Sequence, residues 1–273
     1  MKITLFSSGS CGNCGIICGE KVNIMVDAGL SKKQIDAHLD KSCLNFTQIN
    51  YLLITHSHVD HIKGLAMILK KTSTIVFMSE GTYSDLLKTK DKLVYEESLL
   101  SKRIYLFQKI DFKMNYEMLS LGEFLVEPIP TFHDASESCG YVITKGEKKI
   151  VYITDTGYVH TSLFNKISNA DCYVLESNHD PQILMSDPIR PLSLKIRILS
   201  DHGHLSNEDS MVVLAKVMGQ NTKIVFHAHI SQDCNLTQIV NLTRERVFND
   251  YGIDTKSIDF VITSPYRTKE YVI

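Results

Sequence analysis

Two blocks of short apolar strands, each accompanied by helices, predict an α/β fold in which two β-sheets face each other with helices outside. Three observations carry that reading. A chain of 273 residues that is 44% hydrophobic can bury a large core. No linker rich in Pro, Gly or Ser parts the two blocks, and no repeat or low-complexity segment interrupts them, so one domain over residues 1–273 is expected. Residues able to ligate metals recur just past the C-terminal ends of strands, as a shared rim between two sheets requires.

In chain order, Ile3–Phe6 reads as a strand and lacks the apolar core of a signal peptide. Gly15–Cys18 and Val22–Val26 follow as strands, the second ending at Asp27-Ala28-Gly29. Ser31 caps a helix to about Leu39. Tyr51–Ile54 is a strand, Leu65–Lys71 a helix, Ile75–Met78 a short buried strand, and a helix lies near Tyr83–Lys88. Between Arg103 and Tyr152 the pattern is mostly strands: Ile104–Phe107, Glu123–Ile129, Tyr141–Thr144 and Ile150–Ile153, parted by Gly or Lys turns. Then come a helix near Thr161–Ile167, strand Cys172–Leu175, and amphipathic helices Leu192–Leu199 and Asn207–Val217. Strand Lys223–Phe226, a helix over Leu236–Phe248 and strand Ile258–Ile262 complete the chain.

The net charge of −2 argues against binding nucleic acid through a broad basic face, though not against phosphate binding in a metal cleft. No apolar run approaches the ~18 residues of a membrane helix, so no membrane association is expected. Seven scattered cysteines fit reduced thiols and a cytoplasmic location. Cys11, Cys14 and Cys18 lack the second pair that a structural zinc site needs, and read as small packing residues in a turn.

The segment His56-Ser57-His58-Val59-Asp60-His61 gathers four metal-ligating side chains in one loop after the strand Tyr51–Ile54. Alternate residues of an extended segment point the same way, so His56 and His58 can grip one cation together. Asp60 and His61, where a turn begins, can face a second. Imidazole and carboxylate suit zinc, manganese or iron. His133, Asp155 and His229 each lie just past an apolar strand and supply the further ligands a dinuclear site needs. Asp27 is placed to orient a ligand histidine, with an ordinary turn aspartate as the alternative.

These residues resemble the metallo-β-lactamase superfamily. The resemblance implies a four-layer αββα sandwich of two mixed β-sheets with a two-metal site at one edge. It implies one metal on His56, His58 and His133, another on Asp60, His61 and His229, and Asp155 between them. True β-lactamases commonly carry Arg at the position of His61, and the flavin-linked di-iron oxidoreductases carry Glu at that of His58; both differences favour a hydrolase. A finer match runs through Ser8-Gly9-Ser10-x-Gly12-Asn13, Thr55–His61, Glu176-Ser177-Asn178-His179-Asp180, Leu194-Lys195-x-Arg197-Ile198-Leu199 and Gly203-His204-Leu205-Ser206-Asn207. Those segments resemble the YycJ/WalJ-type proteins, regarded as DNA exonucleases. The last is also similar to the segment bearing the catalytic histidine of ribonuclease Z and the phosphonate-pathway cyclic phosphodiesterase. There a metal ligand follows about two dozen residues later; here His229 follows His204 by 25. Gln232-Asp233-Cys234-Asn235 and Arg190-Pro191-Leu192 depart from the family's runs, and bear on substrate preference more than on fold.

The chemistry follows. Two cations ~3.5–4 Å apart can hold a bridging hydroxide and clamp a phosphoryl oxygen. Asp60 can orient that nucleophile while ligating a metal, and His204 is the candidate general acid for the departing alkoxide. His179, His202 and His227 are weaker candidates for phosphate contacts or for supporting the ligands. Lys195 and Arg197, two apart on a helix, point to different faces, so one at most faces the cleft; Lys63, Lys70 and Lys71 read equally as solvated charges. The expected function is a metal-dependent phosphodiesterase acting on nucleic acid, most specifically a DNA exonuclease. Alternatives are a cyclic phosphodiesterase, a ribonuclease Z-like RNA hydrolase, and a metal-stabilised sensor or adaptor without turnover. The short span from Asp155 to His204 leaves little room for a long tRNA-clamping arm.

Overall fold

A computed structural model describes residues 1–111 and 115–273. The first sheet is built from β1 (Lys2–Ser7), β2 (Cys14–Cys18), β3 (Asn23–Val26), β4 (Tyr51–Leu53), β5 (Ile75–Met78) and β6 (Ile104–Leu106). The second contains β7 (Leu119–Leu121), β8 (Phe124–Pro130), β9 (Cys139–Lys145), β10 (Lys148–Ile153), β11 (Cys172–Glu176), β12 (Ile224–Ala228) and β13 (Asp259–Ile262). A last strand, β14 (Tyr271–Val272), returns to pair with β1. The strand orders are β14-β1-β2-β3-β4-β5-β6 and β13-β12-β11-β10-β9-β8-β7. Both sheets are mixed. Pairing is antiparallel from β14 to β3 and parallel from β3 to β6. The second sheet repeats the scheme, antiparallel from β7 to β10 and parallel from β10 to β13.

The parallel strands carry near-continuous apolar runs because both of their faces are covered. Successive side chains alternate between faces. Leu53 points to the layer between the sheets, with Leu5, Val26, Phe77, Phe124, Tyr141 and Phe226. Leu52 points outward, against Leu39, Leu65 and Ile68. Helices α1 (Lys32–Asp40), α2 (Val59–Ile62), α3 (Leu65–Lys71), α4 (Glu80–Leu86) and α5 (Lys92–Leu100) belong to that first half of the chain. Helices α6 (Phe164–Ile167), α7 (Pro181–Ser186), α8 (Leu192–Ile198), α9 (Asn207–Val217) and α10 (Thr237–Asp250) belong to the second. Met211 and Leu214 of α9 and Val240 and Phe248 of α10 pack with Val151, Tyr173 and Val225 on the second sheet's outer face. The result is helix, sheet, sheet, helix, the four-layer sandwich the sequence predicts. Burying each large apolar side chain contributes ~1.5–3 kcal/mol.

The sheets are tied to each other at the rim. The Tyr141 hydroxyl donates to the Ile54 carbonyl at 2.5 Å, and the Cys139 amide to the Thr55 carbonyl at 3.0 Å. This fixes the loop after β4 against the start of β9. Five elements are absent from the sequence reading: α2, α5, α7, β7 and β14. Strands β7 and β14 are three and two residues long, too short to show a period. For α7 a signal existed, since Asp180 caps the amides of Gln182 and Ile183 and Pro181 occupies the first turn. Among the described residues no helix is long and apolar enough to cross a membrane.

Candidate metal centre

Each site residue sits where a strand stops. β4 delivers the loop His56–His61, β8 leads to His133, and Asp155 and His229 stand just past β10 and β12. Three of these strand ends leave extended geometry abruptly. Asp27, Asp155 and His229 have φ of 60°, 53° and 52°. Left-handed backbone at a residue other than glycine costs of order 1–3 kcal/mol and persists only where the surroundings impose it. At His229 the Ser8 hydroxyl accepts from the backbone amide at 2.8 Å, and the Asn178 amide donates to the carbonyl at 2.8 Å. Gly29 lets the segment after β3 close against the metal loop, because a Cβ there would collide with the Asp60 carbonyl.

The imidazoles are oriented from behind. His61 Nδ1 lies 2.8 Å from Asp27 Oδ2, His56 Nδ1 3.0 Å from the Thr55 hydroxyl, and His133 Nδ1 2.9 Å from the Gly203 carbonyl. His229 Nδ1 lies 2.8 Å from Glu176 Oε1. The opposite ring nitrogens therefore converge on one space. His58 Nδ1 and His133 Nε2 face each other at 3.2 Å, and His61 Nε2 is 3.2 Å from Asp155 Oδ2. His56 Nε2 and His229 Nε2 are buried and have no hydrogen-bond partner.

Buried polar atoms left unpaired are costly, so their convergence marks a place shaped for a cation. Histidines anchored through one nitrogen and open at the other are the usual setting of metal ligands. Three sets of ligand atoms lie within 4.8 Å of one another: His56, His58 and His133; Asp60, His61 and His229; and His56, His61 and Asp155. The donor set fits divalent metal binding. Among the described residues no such cluster contains a cysteine; Cys14 is buried, Cys18 half-buried and Cys11 exposed.

A fourth cluster, Asp155, Glu176, His204 and His229, has a different basis. Glu176 ends β11, fully buried, and accepts from both His204 Nδ1 (2.7 Å) and His229 Nδ1 (2.8 Å). It also accepts from the amides of Thr156 and Leu205. Hydrogen bonds thus account for this group without a cation. Burial disfavours charge on His204, but the Glu176 carboxylate outweighs it and raises the imidazole above the ordinary histidine value. Burial likewise opposes charge on Glu176, yet His204 and His229 hold it down to about 2. His204 is left with Nε2 toward a cleft of about 190 Å³, lined also by Ser10, Asn178, Leu194, Arg197 and Ser231.

All seven predicted ligand positions and His204 are brought to this rim. Asp27 lies behind His61, as the orienting reading has it. Other residues are placed elsewhere. His227 lies inside β12, its ring stacked on Phe260 at 5.9 Å, and burial pushes it down to about 3. His179 is buried and pushed down by burial to about 4, and His202 is exposed. Lys195 is buried, donating to the Met185 and Asp187 carbonyls, whereas Arg197 lines the cleft paired with Asp134. Lys63 and Lys71 are exposed, and Lys70 lies 3.8 Å from Asp91. The sequence reading gave no role to Glu176 or Asn13. Asn13 donates to Asp60 Oδ2 at 3.3 Å and lies 2.9 Å from His61 Nε2. For Glu176 a signal existed: a carboxylate closing the apolar strand that begins at Cys172.

A four-layer sandwich with clustered imidazoles and carboxylates at one rim defines a class of metal-dependent hydrolases. A family model described as a beta-lactamase superfamily domain matches residues 22–228, and the chain belongs to that superfamily. Within it the chain belongs with the YycJ/WalJ-type proteins. It is 33% identical to the exodeoxyribonuclease YycJ of Bacillus anthracis over 92% of this chain and 90% of that protein. It is also 33% identical to the exodeoxyribonuclease WalJ of Streptococcus pneumoniae, over 97% of this chain and 94% of that protein. Among solved structures it resembles the metallo-beta-lactamase fold protein YhfI of Bacillus subtilis, with a TM-score of 0.68. That likeness, at 14% identity over 98% of this chain and 99% of the other, concerns the fold.

Proposed function

We propose that this protein is a dinuclear-metal phosphodiesterase that degrades DNA from an end. One observation carries the reading: anchored imidazoles and carboxylates converge on a rim beside a separately held His204–Glu176 pair, in a chain whose full-length relatives are exodeoxyribonucleases. His56, His58 and His133 would hold one divalent cation, Asp60, His61 and His229 a second, and Asp155 would lie between. Zinc and manganese suit these donors, with iron a third option. Such cations would lower the pKa of water and polarise a phosphoryl oxygen, supplying the nucleophile. Asp60 orients the attacking water. His204, whose pKa the Glu176 carboxylate raises, donates to the leaving alkoxide through Nε2. Seven unpaired cysteines suit a reducing compartment, and on that ground we place the protein in the cytoplasm.

A second reading, hydrolysis of a cyclic phosphodiester, would draw on the same candidate ligands and His204. Digestion of end-labelled single- and double-stranded DNA and RNA with Mn²⁺ or Zn²⁺, beside cyclic nucleotides, separates the two. Stepwise shortening of DNA, abolished by chelator, is the expected result. Thioester turnover with no phosphodiester cleaved would overturn both readings.

A further inference from the structure

Helix α8 is a partition with two unlike faces. Leu194, Arg197 and Ile198 line the cleft. At ~100° per residue the opposite side carries Leu192 and Ile196, which are 60% and 59% exposed. Just before the helix, Ile189 is 88% exposed between Pro188 and Pro191. An isolated exposed leucine needs no explanation, but a run of bare apolar side chains beside a cleft does.

The segment is stiffened from within. Lys195 is buried and ties α8 to the Met185 and Asp187 carbonyls at 2.8 and 2.5 Å. Arg190 pairs with Asp187 at 2.5 Å and with Asp233 at 2.8 Å. The polar groups are thus turned inward to hold an apolar tip in water. Arg190 also lines both the cleft and the groove that Pro188 and Ile189 border, so the tip adjoins the cleft at Arg190.

We propose that α8 and its Ile189 tip separate the strands of a DNA duplex end. The strand being cut lies along the cleft face, its complement passes over Leu192 and Ile196, and Ile189 abuts the terminal base pair. Apolar side chains inserted between bases are a general means of unstacking them. A second copy of the chain is a poorer occupant, because a ridge one short helix wide is small beside the ~800 Å² per partner of a stable protein interface. The proposal rests on the DNA reading above.

The test compares wild type with Ile189→Ser and Leu192→Ser/Ile196→Ser on one labelled strand, presented single-stranded, in a blunt duplex, and in a duplex with mismatched terminal pairs. The substituted side chains are exposed, so melting temperatures should stay near that of wild type. Turnover of the single strand should stay within about twofold. Turnover of the blunt duplex should fall about tenfold, equivalent to the ~1.4 kcal/mol of one base-pair step. The mismatched end should restore it. Equal loss on single and double strands, no loss on the duplex, or a wild type unable to attack duplex ends would each overturn the wedge. So would a wild-type dimer that the substitutions dissociate with duplex preference unchanged. Failure of the wild type to cleave any DNA would instead overturn the nuclease reading.

Discussion

At β12 two histidines stand two residues apart, and in an unbroken strand both would face the same way. His227 keeps to the strand and stacks on Phe260, whereas His229 adopts φ of 52° and turns to the rim. His229→Ala should therefore remove about one metal equivalent by elemental analysis, and His227→Ala should remove none; reversed counts would exchange their roles. The second residue-scale expectation concerns proton donation. His204→Ala should keep its metals and lose at least ~10²-fold in turnover on DNA, with a smaller deficit on a nitrophenyl ester that needs less protonation. Equal deficits would mean that His204 positions phosphate instead. Glu176 raises the pKa of His204, so Glu176→Gln should lower it. The donor form is then lost at lower pH, and the alkaline limb of the pH–rate profile should move down; a limb that stays in place would part Glu176 from the proton donor.

At the scale of elements, the turn between β2 and β3 is clasped to the second sheet by Glu123. Its carboxylate accepts from the Lys21 and Val22 amides at 2.7 and 3.1 Å and pairs with Lys145 at 2.9 Å. Those bonds, the Lys21 amide foremost, hold Glu123 down to about 2. A carboxylate depressed on folding contributes stability above its unfolded value of ~4.3, lost as pH falls towards the folded one. Urea melts between pH 5 and pH 2 should show Glu123→Gln with a shallower acid loss than wild type; parallel curves would show that the clasp adds nothing. Elements also differ in how legible they are. Longer periodic segments such as α9 and α10 declare themselves by spacing. Strand β14 exists only because β1 offers a free edge to a distant tail.

Across the whole molecule, one apolar layer joins the two sheets and so holds the two halves of the rim in register. Phe124 and Phe226 are fully buried in it. Phe124→Ala should cost ~3–5 kcal/mol in denaturant unfolding, and a loss under 1 kcal/mol would show that the layer repacks. The proposed ligands come from both halves of the chain, so a metal held by them should bind the folded protein and stabilise it by mass action. Chelator should lower the melting temperature, and anomalous scattering should locate two metals a few ångströms apart. In His56→Ala the chelator-dependent shift should shrink; an unchanged shift would place the cation elsewhere.

By itself the sequence determined the layer order, through two strand blocks of apolar runs, and the chemistry of the rim, through His56–His61 with His133, Asp155 and His229 after strand ends. These are local signals, written in spacing and side-chain type. Only the tertiary structure decided how His229 turns to the rim while His227 stays in the strand, because that depends on left-handed backbone at His229 held by Ser8, far along the chain. Glu176 received its two histidine partners in the same way, from residues 28 and 53 positions distant. So did the split between Lys195 and Arg197: the helical period places them on different sides, but only packing against Met185 and Asp187 says which is buried. Spacing is a property of one segment, whereas burial and backbone strain are set by what other segments bring against it.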